Sequence, residues 1–107
     1  MTNKEILKRI NEKLGTDYIT IDEALDLDKR VRFCGDEAEL QKLFAEVFRR
    51  DFELTHAQLE GLLDYIDLER YMEDLKRAKV YETYLCDGGG YIVVFVINLW
   101  GRLCSFV

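Results

Sequence analysis

The chain has 107 residues, of which 49% are apolar, and its formal net charge is −6 at pH 7. This length and composition suit a single compact domain over residues 1–107 and exclude a disordered chain, which buries too little apolar surface to fold. The longest apolar run, Tyr91–Ile97, is far shorter than the roughly 20 residues of a membrane span, and the polar N-terminus lacks the apolar stretch of a signal peptide. We therefore expect a cytoplasmic protein with no membrane association.

Four helix starts are predicted from capping-box spacing, in which Thr or Asp at the N-cap is followed three residues later by Glu or Gln. The four pairs are Thr2–Glu5, Thr20–Glu23, Asp36–Glu39 and Thr55–Gln58. Apolar residues follow each pair, and their helical spacing is clearest from Leu40 to Phe48. Gly15 suits the left-handed position that ends the first helix.

Two apolar stripes follow Thr55, one over Leu59–Ile66 and one over Leu68–Leu75. At about 100° per residue their mean directions are nearly opposite, so one continuous helix would be apolar on two opposed faces. A break at Asp67, itself a suitable N-cap residue, lets both stripes face the same core. We therefore predict two helices here, which makes four to five short helices in all.

The pattern changes from helical to extended after the last of these helices. Val80–Cys86 is rich in aromatic and β-branched residues, and a glycine turn at Asp87–Gly90 joins it to Tyr91–Ile97, whose unbroken apolar character is typical of a strand covered on both faces. Arg102–Val107 alternates as a third strand, and Arg30–Cys34 alternates weakly as a further candidate. The predicted fold class is α+β, with the helices packed on a C-terminal three-stranded antiparallel meander.

No set of residues in the sequence predicts catalysis or cofactor binding. His56 is the only histidine, and its place in a first helical turn predicts an exposed side chain. Cys34, Cys86 and Cys104 lack the paired spacing of zinc and redox sites, and each lies in or beside an apolar segment, so we expect buried free thiols. The sequence therefore predicts a protein that is not an enzyme and that holds no metal or cofactor.

Carboxylates dominate the segment 51–74, which contains eight acidic residues and one basic residue, Arg70. If the apolar stripes of its two helices face the core, these carboxylates share the outer surface. A dense negative surface attracts basic proteins and repels nucleic acid. The predicted partner-binding residues are Glu60, Asp64, Asp67, Glu69, Glu73 and Asp74.

The sequence thus favours a small acidic protein-binding module, an inhibitor or adaptor that docks on a basic, nucleic-acid-handling protein. Phage anti-CRISPR proteins and the immunity proteins of bacterial toxins are small acidic inhibitors, and the chain is similar to them in size and charge only. The alternative is a winged-helix-like DNA-binding transcriptional regulator, because helix, short strand, helices and a glycine-tipped hairpin follow one another in that order. Its acidic helices argue against direct nucleic-acid binding. Homodimerisation through Arg102–Val107 as an edge strand is a third alternative.

Overall fold

The structure, a computed structural model, describes residues 1–96. Within that range it contains five α-helices and a three-stranded antiparallel sheet, so the predicted α+β class is confirmed. The elements are α1 (Asn3–Leu14), α2 (Ile21–Leu27), β1 (Val31–Cys34), α3 (Glu37–Asp51), α4 (His56–Leu62), α5 (Leu68–Arg77), β2 (Tyr81–Leu85) and β3 (Tyr91–Phe95). None of these helices is both long enough and apolar enough to cross a membrane.

The helix starts lie where the capping spacing predicts them. Thr55 and Gln58 form a complete capping box at α4. The Gln58 backbone N–H donates to the Thr55 hydroxyl oxygen at 3.1 Å, and the Thr55 backbone N–H donates to the Gln58 side-chain oxygen at 2.8 Å. The Asp67 carboxylate accepts a hydrogen bond from the Arg70 backbone N–H at 3.1 Å and caps α5. The predicted break between the last two helices is therefore confirmed.

β3 is the central strand, with β1 along one edge and β2 along the other. The predicted β2–β3 hairpin is confirmed, with Thr83 opposite Val93. The strand on the other edge of β3 is β1, with Arg32 opposite Val93. β1 suits that edge because its end residues, Val31 and Cys34, bury their side chains in different core clusters. The predicted strand Arg102–Val107, and the homodimer edge it would form, lie outside the described residues.

Helices cover both faces of the sheet, which explains the unbroken apolar character of β3. On one face, Ile92 and Val94 pack with residues of α1 and α2; on the other, Val93 and Phe95 pack with residues of α3 and α5. The buried residues of the first cluster are Ile6, Ile10, Ala24, Val31, Tyr84, Ile92 and Val94. Those of the second cluster are Cys34, Phe44, Val47, Tyr81, Val93 and Phe95. The second cluster holds α3 and α5 against the sheet and so sets the position of the acidic segment.

The turn between β2 and β3 requires glycine at its last position. Gly90 has φ 86°, and a Cβ atom built there would lie 2.9 Å from the Phe33 ring and 3.0 Å from the Cys34 carbonyl oxygen. We expect Gly90→Ala to lower the free energy of unfolding by about 1–3 kcal/mol, because it adds backbone strain and a contact with β1. Gly88→Ala is the matched control, since a Cβ at Gly88 meets no atom within 4 Å. Urea unfolding of both variants checks this prediction, which equal stabilities would contradict.

Candidate protein-interaction surface

The apolar stripe of α4 is only partly buried. Leu59 is the one buried residue of this helix, whereas Leu62 is 41% exposed and Leu63 is 42% exposed. The prediction that the stripe Leu59–Ile66 faces the core is therefore wrong for these two leucines. Leu62 is the last residue of α4, and Leu63 keeps helical backbone angles and donates its N–H to the Leu59 carbonyl oxygen at 3.0 Å, so both continue the face of Leu59. Among residues 1–96, no other element buries that end of the face.

The C-terminal end of α4 consequently presents several large apolar side chains to solvent. Tyr65, in the turn after the helix, is 86% exposed, and its backbone N–H donates to the Leu62 carbonyl oxygen at 2.9 Å. Single apolar side chains are common on protein surfaces, but neighbouring ones are typical of interaction sites. The exposure of Leu62, Leu63 and Tyr65 was not predicted from the sequence, because helical spacing identifies an apolar face without showing whether another element covers it.

All six predicted partner-binding carboxylates are exposed. Glu60 and Asp64 lie within two residues of the exposed leucines at the end of α4. The other four line one shallow hollow of about 310 Å³ on the surface of α5: Asp67, Glu69, Glu73 and Asp74. The structure therefore brings four of the six together and places the remaining two beside the exposed apolar side chains. We call these residues, with Leu62, Leu63 and Tyr65, the α4–α5 surface.

Internal contacts satisfy only two of the eight carboxylates in the segment 51–74. Asp51 accepts a hydrogen bond from the Tyr71 hydroxyl at 3.2 Å, and Asp67 caps α5. Within residues 1–96, the other six carboxylates neither accept a hydrogen bond nor form an ion pair within 4 Å. By contrast, Glu46, on α3 and outside this segment, pairs with Arg49 and Arg50. The negative charge of the α4–α5 surface is therefore left available to a partner.

Two arginines share the hollow on α5 with its acids. Arg70 and Arg77 line it, so its four carboxylates and two guanidinium groups leave a net charge of −2. Arg77 and Lys76 lie in the last turn of α5, where basic side chains interact favourably with the helix dipole. The acidic residues thus extend from the end of α4 to Asp74 in α5, and the last turn of α5 is basic.

Basic side chains gather in a separate groove of about 570 Å³ between β1 and α3. Lys29, Arg32, Lys42 and Arg50 line it together with Glu39 and Glu46. The guanidinium groups of Arg49 and Arg50 hold the pKa of the Glu46 carboxyl below its usual range. This mainly basic groove shares no lining residue with the mainly acidic hollow on α5.

No protein-family model matches this chain. Comparison with curated proteins and with solved structures also finds no match. A function is therefore proposed from the α4–α5 surface itself. That surface has exposed apolar side chains close in sequence to exposed charged ones, and protein–protein interfaces likewise have an apolar core and a polar rim.

The residues considered for metal or catalytic chemistry lie apart. Cys34 is buried and Cys86 is half-buried, both as free thiols, and burial raises the pKa of each, which disfavours the reactive thiolate. His56 is exposed in the first turn of α4. In the part of the chain that the structure describes, no three His, Cys, Asp or Glu side chains group closely enough to hold a metal ion. Cys104 lies outside that part.

Proposed function

We propose that this protein is a small acidic protein-binding module, an inhibitor or adaptor that docks on a basic, nucleic-acid-handling protein. The observation that carries the proposal is the exposure of Leu62, Leu63 and Tyr65 beside carboxylates that have no basic partner within residues 1–96. The module acts by occupying its partner's surface and catalyses no reaction. Free thiols at Cys34 and Cys86 are consistent with the reducing conditions of the cytoplasm, where we place it.

The two components of the α4–α5 surface have different roles in this proposal. Burying a leucine or a similar side chain contributes about 1.5–3 kcal/mol, so Leu62, Leu63 and Tyr65 supply most of the affinity. Exposed carboxylates contribute less to affinity but accelerate association with a positively charged surface and reject negatively charged ones. Net repulsion between like surfaces also disfavours self-association of two copies through this region.

The proposed partner class follows from charge complementarity. Proteins that bind DNA or RNA carry Lys- and Arg-rich surfaces, because contact with phosphates supplies much of their affinity. An acidic module with an apolar centre fits such a surface and competes with nucleic acid for it. Its own net charge of −6 opposes direct contact with nucleic acid.

Reversing three exposed carboxylates tests the proposal. Wild-type protein immobilised in a lysate of its native host is expected to retain a basic, nucleic-acid-handling protein, which mass spectrometry identifies. The variant E60K/D64K/E73K is expected to lose that protein because attraction becomes repulsion. Far-UV circular dichroism should show the same fold, since none of these three side chains has an internal partner within residues 1–96.

The matched control is E12K/D17K/D26K, which makes the same change in net charge at exposed positions of α1, α2 and the loop between them. This control should still retain the partner, because the altered positions lie outside the α4–α5 surface. Equal retention by wild type and E60K/D64K/E73K would refute the proposal. Equal loss in both variants would also contradict it, since overall charge would then explain the binding.

A winged-helix-like DNA-binding transcriptional regulator is the second candidate. The strand order β1-β3-β2 with a glycine-tipped β2–β3 hairpin favours it. Asp87 at the hairpin tip and Glu69 at the start of α5 oppose it, because both would approach phosphates with negative charge. Retention of duplex DNA by the wild-type protein at physiological salt would select this second function over the first.

A further inference from the structure

A second hollow adjoins the α4–α5 surface, between α3, α5 and the edge strand β2. Its volume is about 310 Å³, at the lower end of the roughly 300–1,000 Å³ that is typical of ligand pockets, so it suits a side chain better than a cofactor. Its apolar lining comes from Leu40, Met72 and Tyr81, and its acidic lining from Glu37, Glu69 and Glu73. We call it the α3–α5 groove.

The apolar part of the α3–α5 groove belongs to the core beneath it. Tyr81 is 4% exposed, and its hydroxyl donates a hydrogen bond to the Met72 carbonyl oxygen at 3.0 Å. The Tyr81 ring also packs on Phe44, with 4.5 Å between the ring centroids. Leu40 and Met72 are half-buried against the same cluster. This part of the groove is therefore fixed in shape before any partner arrives.

The acidic part of the groove comes from two helices. Glu37 lies on α3, and Glu69 and Glu73 lie on α5. None of the three forms an ion pair within 4 Å among residues 1–96, and Lys76 is the one basic residue that lines the groove. The groove therefore has a net charge of −2 above an apolar base.

We infer that the α3–α5 groove receives a lysine or arginine side chain of the basic partner. Such a side chain lays its aliphatic stem on Leu40 and Met72 and directs its cationic head to Glu69, Glu73 and Glu37. Arginine fits best, because its planar guanidinium group donates to more than one carboxylate at once. An acidic side chain is repelled, and a purely apolar one leaves the carboxylates without a partner. This inference rests on the proposed function and names the chemical group through which the partner is anchored.

A small arginine probe tests this inference without the partner. N-acetyl-arginine methylamide, titrated into the isotopically labelled protein, is expected to shift the methyl NMR signals of Leu40 and Met72. N-acetyl-norleucine methylamide has a similar stem without the charge and should bind more weakly. The variant E37Q/E69Q/E73Q should weaken arginine binding about tenfold, since it removes the three charges that pair with the guanidinium group.

The control variant E12Q/D26Q removes two exposed carboxylates of α1 and α2, outside both the groove and the α4–α5 surface, and should leave the arginine titration unchanged. Absence of shifts at Leu40 and Met72, or equal binding of both probes, would overturn the inference. So would arginine binding that E37Q/E69Q/E73Q does not weaken. In each of these cases, loss of the partner in E60K/D64K/E73K would still support the proposed function. Retention of the partner by E60K/D64K/E73K would instead refute the proposed function, whatever the result of the arginine titration.

Discussion

Replacing Phe44 with alanine is expected to lower the free energy of unfolding by about 3–5 kcal/mol. The Phe44 side chain is fully buried where α3 meets the sheet. Its ring centroid lies 4.5 Å from that of Tyr81 and 5.9 Å from that of Phe95. Alanine removes this apolar burial and leaves a cavity that the surrounding rings fill only in part.

Urea unfolding followed by circular dichroism measures this effect. The control is Phe52→Ala, which truncates the same residue type at the C-cap of α3, where Phe52 is 57% exposed. We expect this control to cost less than about 1 kcal/mol, because little buried area is lost. Similar costs for the two variants would contradict the assignment of Phe44 to the core. The result matters for function, because the same cluster positions the α3–α5 groove.

Replacing Asp28 with asparagine is expected to cost about 2–4 kcal/mol at neutral pH. Asp28 is 6% exposed and links Tyr18, in the loop before α2, to Arg30, just before β1. Its carboxylate accepts hydrogen bonds from the Tyr18 hydroxyl at 3.0 Å and from Arg30 through its backbone N–H, Nε and Nη2 at 2.8–3.0 Å. Asparagine keeps the shape but removes the charge and leaves the half-buried Arg30 guanidinium without its carboxylate.

The cost of Asp28→Asn should depend on pH in a defined direction. Hydrogen bonds from Arg30 lower the pKa of the Asp28 carboxyl in the folded protein, against the opposing effect of burial. A lowered pKa means that the ion pair stabilises the fold fully above the unfolded value of about 3.9 and is lost as the pH falls through the folded value. The difference in stability between wild type and Asp28→Asn should therefore be largest near neutral pH and shrink in acid. Asp26→Asn, at an exposed position two residues away, is the control and should change the free energy of unfolding by less than about 0.5 kcal/mol. A difference that stays constant with pH would contradict this account of Asp28.

Local features of the fold could be predicted from the sequence, and non-local ones could not. Thr55, Gln58 and Asp67 cap helices through contacts within three residues, so spacing alone locates them. The pairing of β1 with β3 joins residues about sixty positions apart, such as Arg32 and Val93, and a weakly alternating segment of four residues carries no sign of its partner. The meander prediction therefore gave the correct central strand, β3, and the correct partner β2, but it did not identify β1 as the other partner of β3.

The α4–α5 surface likewise has features that could be predicted from the sequence and features that could not. Exposure of Glu60 and Glu73 could be predicted, because carboxylates without partners remain in water. The exposure of Leu62 and Leu63 could not, because helical periodicity identifies an apolar face without showing whether another element covers it. Arg77 shares the hollow with Glu73 because the two residues are four positions apart on α5, a neighbourhood that helical spacing alone could predict.

The most direct test of the α4–α5 surface is the dissociation constant of the captured partner, measured by calorimetry at several salt concentrations. We expect wild-type binding to weaken as salt rises, and E60K/D64K/E73K to bind roughly 10- to 100-fold more weakly at low salt, because three favourable charge contacts become repulsive. This difference should shrink at high salt, where the contacts of Leu62, Leu63 and Tyr65 remain and the charges are screened. Equal dissociation constants for the two proteins at low salt, or wild-type binding that does not respond to salt, would contradict an acidic docking surface.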